Sequence, residues 1–194
     1  MKRAALLLGL SITFAAAGCG KSGAADRDTI RIEKDGSIVE TIRETFEEEY
    51  YHVDELESYI TDAVDAYNQD LTTAGITFDK CSLKKNIVEA VLTYSSVEDY
   101  VVFNNKEIFV GSLEELESSD YHDSVNLKDR KGNTVSLSHV IASGEYYNAA
   151  VVTQDCEFVV SGKIIYASEA VEIHSGKRAD ITLEDEACAY IIYK

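Results

Sequence analysis

The chain has no proline and no tryptophan, and cysteine appears only four times. Without proline, a Pro-rich stalk that would hold a domain away from a surface is excluded. Basic residues are scarce: 18 Lys and Arg stand against 35 Asp and Glu, for a formal charge of −17. Phosphate recognition needs a basic patch, so a nucleic-acid partner is disfavoured. Adhesion to anionic lipid through surface charge is disfavoured for the same reason. An acidic surface attracts divalent cations or cationic partners; it also serves solubility and repulsion from an anionic cell surface. Long apolar runs are missing too, apart from one at the start. Ala4–Ala17 is about 14 residues long, short of the ~20 a membrane-spanning helix needs.

That run has the organisation of an export signal: Lys2 and Arg3 precede it, and Ala16-Ala17-Gly18-Cys19 follows. The four residues resemble the lipobox of bacterial lipoproteins, with Ala16 where leucine is most usual. The resemblance implies cleavage after Gly18 and diacylation of the Cys19 thiol. Two acyl chains on one residue give lasting attachment to a membrane. Residues 1–18 are therefore expected to be a removed signal peptide, and 19–28 a lipidated cysteine with a flexible tether. The tether, Gly20 to Asp28, is small and polar and reaches at most roughly 30 Å. The expected location is the extracytoplasmic face of the cell membrane.

The full sequence is 45% hydrophobic, with 12 Tyr and 6 Phe, enough to bury a core. Residues 29–120 read as an α+β region. Thr29–Lys34 and Ser37–Phe46 are strands about an Asp35-Gly36 turn. A helix runs from about Asp54 to Asn68, with Val53, Leu56, Ile60, Ala63, Val64 and Tyr67 on one stripe. Asp54 and Glu57 have the spacing of a capping box. Leu56, Ile60, Val64 and Tyr67 are expected to pack on a sheet containing Ile87, Val91 and Ile32. Ile76–Phe78 and Asn86–Tyr94 read as strands, the second central. Ser96 with Asp99 opens a short helix through Phe103, Lys106–Val110 is a strand, and Ser112 with Glu115 opens the helix Leu113–Ser118.

Residues 121–194 form a β-rich region, in keeping with a small barrel or sandwich. Its strand-like runs are Val125–Lys128, Thr134–Leu137, Tyr146–Thr153, Cys156–Val160, Lys163–Ser168, Ala170–Ile173, Ala179–Leu183 and Cys188–Tyr193. The expected fold class is α+β: an N-terminal hairpin and an amphipathic helix packed on an antiparallel sheet, with a β-rich C-terminal part. The segments TIRIEKDGSIVETIRETFEEEYYHVDELESYITDAVDAYNQ, TYSSVEDYVVFNNKEIFVGSLEEL and CAYIIYK resemble uncharacterised surface lipoproteins of Gram-positive gut Clostridia. That resemblance implies a Gram-positive membrane exterior and brings no catalytic residue with it.

Chemical motifs are few. Ser82-Leu83-Lys84-Lys85 contains S-x-x-K, but no Lys-Thr-Gly accompanies it and Ser119-Asp120 is followed by Tyr121 instead of Asn. His52, His122, His139 and His174 are far apart, with no H-E-x-x-H or Cys-x-x-Cys, so no metal site is indicated. A Gly-x-Ser-x-Gly elbow, a phosphate loop and a calcium loop are missing as well. No cofactor is expected. Cys81, Cys156 and Cys188 remain after Cys19, an odd number, so at most one internal disulfide forms; Cys156 with Cys188 is the first pair to test, and three buried thiols are the alternative. Tyr50, Tyr51, Tyr121, Tyr146 and Tyr147 are candidates for an aromatic platform that stacks on sugars or a partner protein, or else half-buried core residues. The function expected is a non-catalytic binding or interaction lipoprotein at the cell surface, with an unknown protein or cell-wall partner. The alternatives are an accessory subunit of an envelope assembly and an anchored wall-acting hydrolase.

Overall fold

Asp35 bends the chain by accepting hydrogen bonds from the Ser37 backbone N–H (3.1 Å) and hydroxyl (2.6 Å). Gly36 takes the left-handed conformation the turn demands, at φ 88°. Strands β1 (Thr29–Ile32) and β2 (Ile38–Thr45) therefore fold back on each other, with Ile32 opposite Ile38. The computed structural model describes residues 27–46 and 52–194. The expected signal peptide, Cys19, the expected tether before Arg27 and the Tyr50-Tyr51 pair lie outside them.

Helix α1 (Val53–Asn68) follows. It starts one residue earlier than the spacing suggests, with His52 as N-cap and no side-chain cap, so the Asp54–Glu57 capping box is not formed. Asp54 and Glu55 instead sit inside the first turn, where carboxylates face the positive end of the helix dipole. At the other end Asn68 fastens the helix to the next strand. Its amide donates to the Ile76 carbonyl (2.7 Å) and accepts from Gly75 and Ile76 N–H (2.9 and 3.1 Å).

Strands β3 (Ile76–Lys84) and β4 (Ile87–Tyr94) make a hairpin whose turn residues, Lys85 and Asn86, both have positive φ (51° and 63°). That is the two-residue turn whose twist suits paired strands. Strand β3 runs past the expected Ile76–Phe78 because β4 offers its mostly polar second half, Asp79 to Lys84, a free edge to pair with. It lies at the sheet edge, past a bulge between Phe78 and Lys80. Charged residues on an edge discourage further pairing.

Ser96 caps α2 (Val97–Asn104) by accepting from the Asp99 N–H at 3.1 Å. Then come β5 (Ile108–Ser112) and α3 (Leu113–Glu117), the latter with a complete Ser112–Glu115 capping box. Strands β6 (Asn126–Asp129) and β7 (Thr134–Ser136) precede α4 (Leu137–Ala142). The strand expected through Leu137 ends at Ser136 because the Ser136 hydroxyl accepts from His139 N–H and starts a helix there. The chain closes with β8 (Asn148–Val152), β9 (Cys156–Val159), β10 (Ile164–Ala167), β11 (Val171–Ile173), β12 (Arg178–Ile181) and β13 (Ala189–Tyr193).

These strands form two sheets, ordered β11-β12-β9-β1-β2-β4-β3 and β5-β8-β13-β10-β6-β7. Among the described residues every ladder is antiparallel except β1 with β9. Both sheets draw strands from before and after residue 120. The protein is thus an α+β fold with a hairpin and amphipathic helix on an antiparallel-rich sheet and a β-rich C-terminal part.

The two sheets share one core. Ile30, Ile32, Phe158 and Ile181 of the first meet Ala150, Val152, Ile164 and Ile191 of the second. The second sheet's other face packs on α3 and α4 through Val151, Tyr190, Ile192, Leu116, Leu137 and Val140. Strands β8 and β13 are covered on both faces, which is why NAAVV and AYIIY are apolar at nearly every position. The β2-β4-β3 end of the first sheet is roofed by α1 and α2.

Under α1 the sheet presents Val88, Ala90, Leu92 and Tyr94, all buried. Ile87 and Val91 belong to the same strand, but alternation turns them to the opposite, half-buried face. The helix does pack on the sheet that contains Ile87, Val91 and Ile32, and the β4 residues it covers are their alternate neighbours Val88, Ala90, Leu92 and Tyr94.

Candidate functional site

Strand β2 carries Ile38, Glu40, Ile42 and Glu44 on alternate positions, so all four share one face, with Ile38 and Glu40 buried, Ile42 half-buried and Glu44 exposed at the strand's end. Glu40 lies between Ile30 of β1 and Leu92 of β4 in the sheet register. Its residue exposure is 0%. A buried carboxylate without partners costs several kcal/mol, on the order of an unfolding free energy. The surrounding chain supplies some, not all, of what it needs. Oε2 accepts from the Tyr94 hydroxyl at 2.7 Å and from the Asn104 amide at 3.3 Å. Oε1 faces the Lys106 ammonium at 3.8 Å, an ion pair beyond hydrogen-bond reach, and has no hydrogen-bond partner.

Burial pushes the Glu40 carboxyl above its ordinary pKa of 4.5; Lys106 and the bonds from Tyr94 and Asn104 pull the other way but do not cancel it. Burial also pushes Tyr94 up, reinforced by the neighbouring carboxylate, which keeps its proton on the donor side of the bond. Aromatic packing holds that donor in place: Tyr94 meets Tyr100 edge-on at 5.1 Å and Phe103 at 6.1 Å.

This cluster closes one end of a groove of about 250 Å³ between α1 and the sheet. Val64 of α1 is buried, whereas Leu56, Ile60 and Ala63 are half-buried and line the opening with Ile42, Ala90 and Leu92. The groove exists because α1 rests chiefly against edge strand β3, leaving the floor made by β2 and β4 partly uncovered. Tyr67 joins helix to helix here, edge-on to Phe103 at 5.7 Å and donating to Asp99 at 2.9 Å.

Asp28, Glu44 and Lys106 also line the groove. Glu44 is held above the usual carboxylate range by partial burial and by the charge of Asp28. Arg43 does not offset these acids. Alternation sends its guanidinium to the other face of the sheet, where it binds Glu89 at 2.9 Å, beside a Lys80–Glu89 pair at 2.7 Å.

Residues singled out from the sequence lie elsewhere. Tyr121 and Tyr147 are half-buried against the second core, at 6.0 Å from Phe109 and 6.2 Å from Tyr166 respectively. Tyr146 is 93% exposed. Tyr50, Tyr51 and Cys19 are outside the described residues. Cys81, Cys156 and Cys188 are free thiols, so the Cys156–Cys188 bridge is not formed. The reason is placement: Cys156 sits in the core between the sheets, and Cys188 borders the core under α3 and α4. Ser82 lies on edge strand β3 and Lys85 in the hairpin turn, so S-x-x-K is not at a helix start. Among the described residues no group of three His, Cys, Asp or Glu side chains is placed to hold a metal, and no helix is long and apolar enough to cross a membrane.

Glu40 was detectable in the sequence as an acid in phase with Ile38 and Ile42. Asn104 and Lys106 join it only through the tertiary fold and have no local signature. Comparison with protein-family models, curated proteins and solved structures finds no match.

Proposed function

We propose that this protein is a membrane-anchored extracytoplasmic lipoprotein that binds a small molecule non-catalytically in the groove beneath α1. The anchor half of the reading rests on the leader and Cys19. The binding half rests on one observation: an open, largely apolar groove lined at one end by Tyr94, Asn104 and Lys106, the three partners of a buried, incompletely satisfied carboxylate, Glu40. Native interiors rarely leave buried polar atoms unpaired, and a pocket with apolar walls and a few polar groups is the usual form of a ligand site.

The test is titration of the full chain carrying Cys19→Ser with the neutral dye Nile red, followed by its emission shift. The expected result is saturable binding at one site, abolished by Ala63→Trp, which fills the groove from α1. Absence of saturable binding, or binding indifferent to Ala63→Trp in a variant that still unfolds cooperatively, overturns the reading.

A further inference from the structure

Two carboxylates, Asp28 and Glu44, line the groove with one ammonium, that of Lys106, and a third, Glu40, lies buried behind Tyr94, Asn104 and Lys106. Asp28 acts electrostatically on Glu40 and Glu44, raising each. Glu40 Oε1 is fully buried, accepts no hydrogen bond and has only the Lys106 ammonium, at 3.8 Å, to offset it. With Lys106 taken up by Glu40 from behind, Asp28 and Glu44 leave the lining acidic. The rest of the lining is hydrocarbon from Ile42, Leu56, Ile60, Ala63, Ala90 and Leu92.

We infer that the groove takes a small organic monocation, a protonated amine on an apolar body, with the ammonium toward Asp28 and Glu44 and the body between α1 and the sheet. This rests on the ligand-binding reading above and names the ligand's chemical class.

The chemistry favours this occupant over others. An anion would meet Asp28 and Glu44, with the one ammonium already paired to Glu40. A bare divalent cation wants about six oxygen ligands in a compact shell, and the described carboxylates are not grouped to supply one. An uncharged apolar molecule fits the walls but leaves the acids uncompensated. An alkylammonium meets both demands, and the Tyr94 and Phe103 rings at that end add aromatic faces that attract cations. The volume of about 250 Å³ lies just below the common range for ligand pockets, roughly 300–1,000 Å³. The groove is open at its mouth, so a single ring or short chain fills it and a larger body such as Nile red extends out of it.

Three probes that share one body test the inference: 4-phenylbutylamine, 4-phenylbutanol and 4-phenylbutyrate, titrated calorimetrically at pH 7 against the full chain with Cys19→Ser. The amine is expected to bind about tenfold or more tighter than the alcohol, and the carboxylate weakest. Glu44→Gln, at an exposed position that does not endanger folding, should bring amine and alcohol to within about threefold by weakening the amine alone. Lys106→Gln should have the opposite effect and tighten the amine, since it removes the competing cation. If alcohol and amine bind equally, or the carboxylate binds best, the inference falls while the groove remains a binding site. If none of the three binds and Nile red also fails, both readings fall together.

Discussion

The Tyr94 hydroxyl donates to the Glu40 carboxylate across 2.7 Å inside the sandwich, and the exposure of both residues is 0%. The pair joins neighbouring strands β2 and β4, and Asn104 ties α2 to the same oxygen at 3.3 Å. One acid thus orders two strands and a helix around the groove end, at an energetic penalty that depends on pH.

The sign of that dependence follows from the direction of the shift. Glu40 has a raised pKa in the folded protein, so the folded state holds this proton more tightly than the unfolded chain. Its penalty is absent below the unfolded value near 4.5, grows as pH rises toward the folded value, and is constant above it. The groups facing it are Lys106, Tyr94, Asn104, Asp28, Tyr100 and Cys156. Glu40→Gln keeps an acceptor for Tyr94 and Asn104 and removes the charge. It should stabilise the protein by about 1–3 kcal/mol at pH 8, with the gain shrinking toward pH 5. Urea unfolding at pH 5, 6.5 and 8 reads this directly. A loss of stability at pH 8 would show that the ion pair with Lys106 outweighs the burial of the charge.

How much of this was legible depended on chain length and parity. The 16-residue helix α1 shows its stripe over more than four turns, and Asp35-Gly36 announces its turn locally. The six residues of α4 are too few for a helical period to emerge, so Leu137 reads as the end of a strand. In β4, IVEAVLTY is apolar at both odd and even positions. Alternation cannot then tell Val88 and Leu92 from Ile87 and Val91, and only the neighbouring layers decide. The polar half of β3 pairs because β4 offers a free edge, a cause its own residues do not carry. The groove is less legible still: it arises from where α1 leans, and its end brings together Asp28, Glu40 and the pair Asn104 and Lys106 from three separate stretches of chain.

Packing on the far face of the second sheet should be sensitive to cavities. Leu116 of α3 is 0% exposed within the second core, whereas Leu83 on edge strand β3 is 49% exposed. Leu116→Ala removes buried methyl groups and leaves a cavity, and should destabilise by about 2–5 kcal/mol. Leu83→Ala should change stability by less than about 0.5 kcal/mol. The denaturation midpoint should fall for the first and stay for the second, with the slope unchanged in both. Equal effects would contradict a second core separate from the one between the sheets.

The thiols should separate by environment. Burial pushes Cys156 well above the ordinary thiol range, and Cys81 is raised by partial burial and by Glu57. Thiolate is the reactive form. In the Cys19→Ser chain under native conditions, Cys156 should resist a thiol reagent at pH 8, and half-buried Cys188 and Cys81 should react first. In denaturant Cys81, Cys156 and Cys188 should all titrate without prior reduction. Recovery of only one thiol before reduction would mean that a disulfide forms after all.

Anchoring can be tested apart from the fold. If Cys19 bears lipid, a Gram-positive host fed an alkyne-tagged fatty acid should label the protein, and the label should vanish in Cys19→Ser. The folded part begins close to the attachment point: Arg27 already bonds to the Thr182 side chain at 3.1 Å, and Asp28 to the Arg43 backbone N–H at 2.8 Å. Seven residues therefore lie between Cys19 and the first described contact, and with lipid on Cys19 the groove, lined by Asp28 itself, would open within roughly 30 Å of the membrane surface. Release of Cys19→Ser into the medium with unchanged Nile red binding would show that anchor and groove act independently. Retention of the label in Cys19→Ser would place the lipid elsewhere and remove the argument for a groove held near the bilayer.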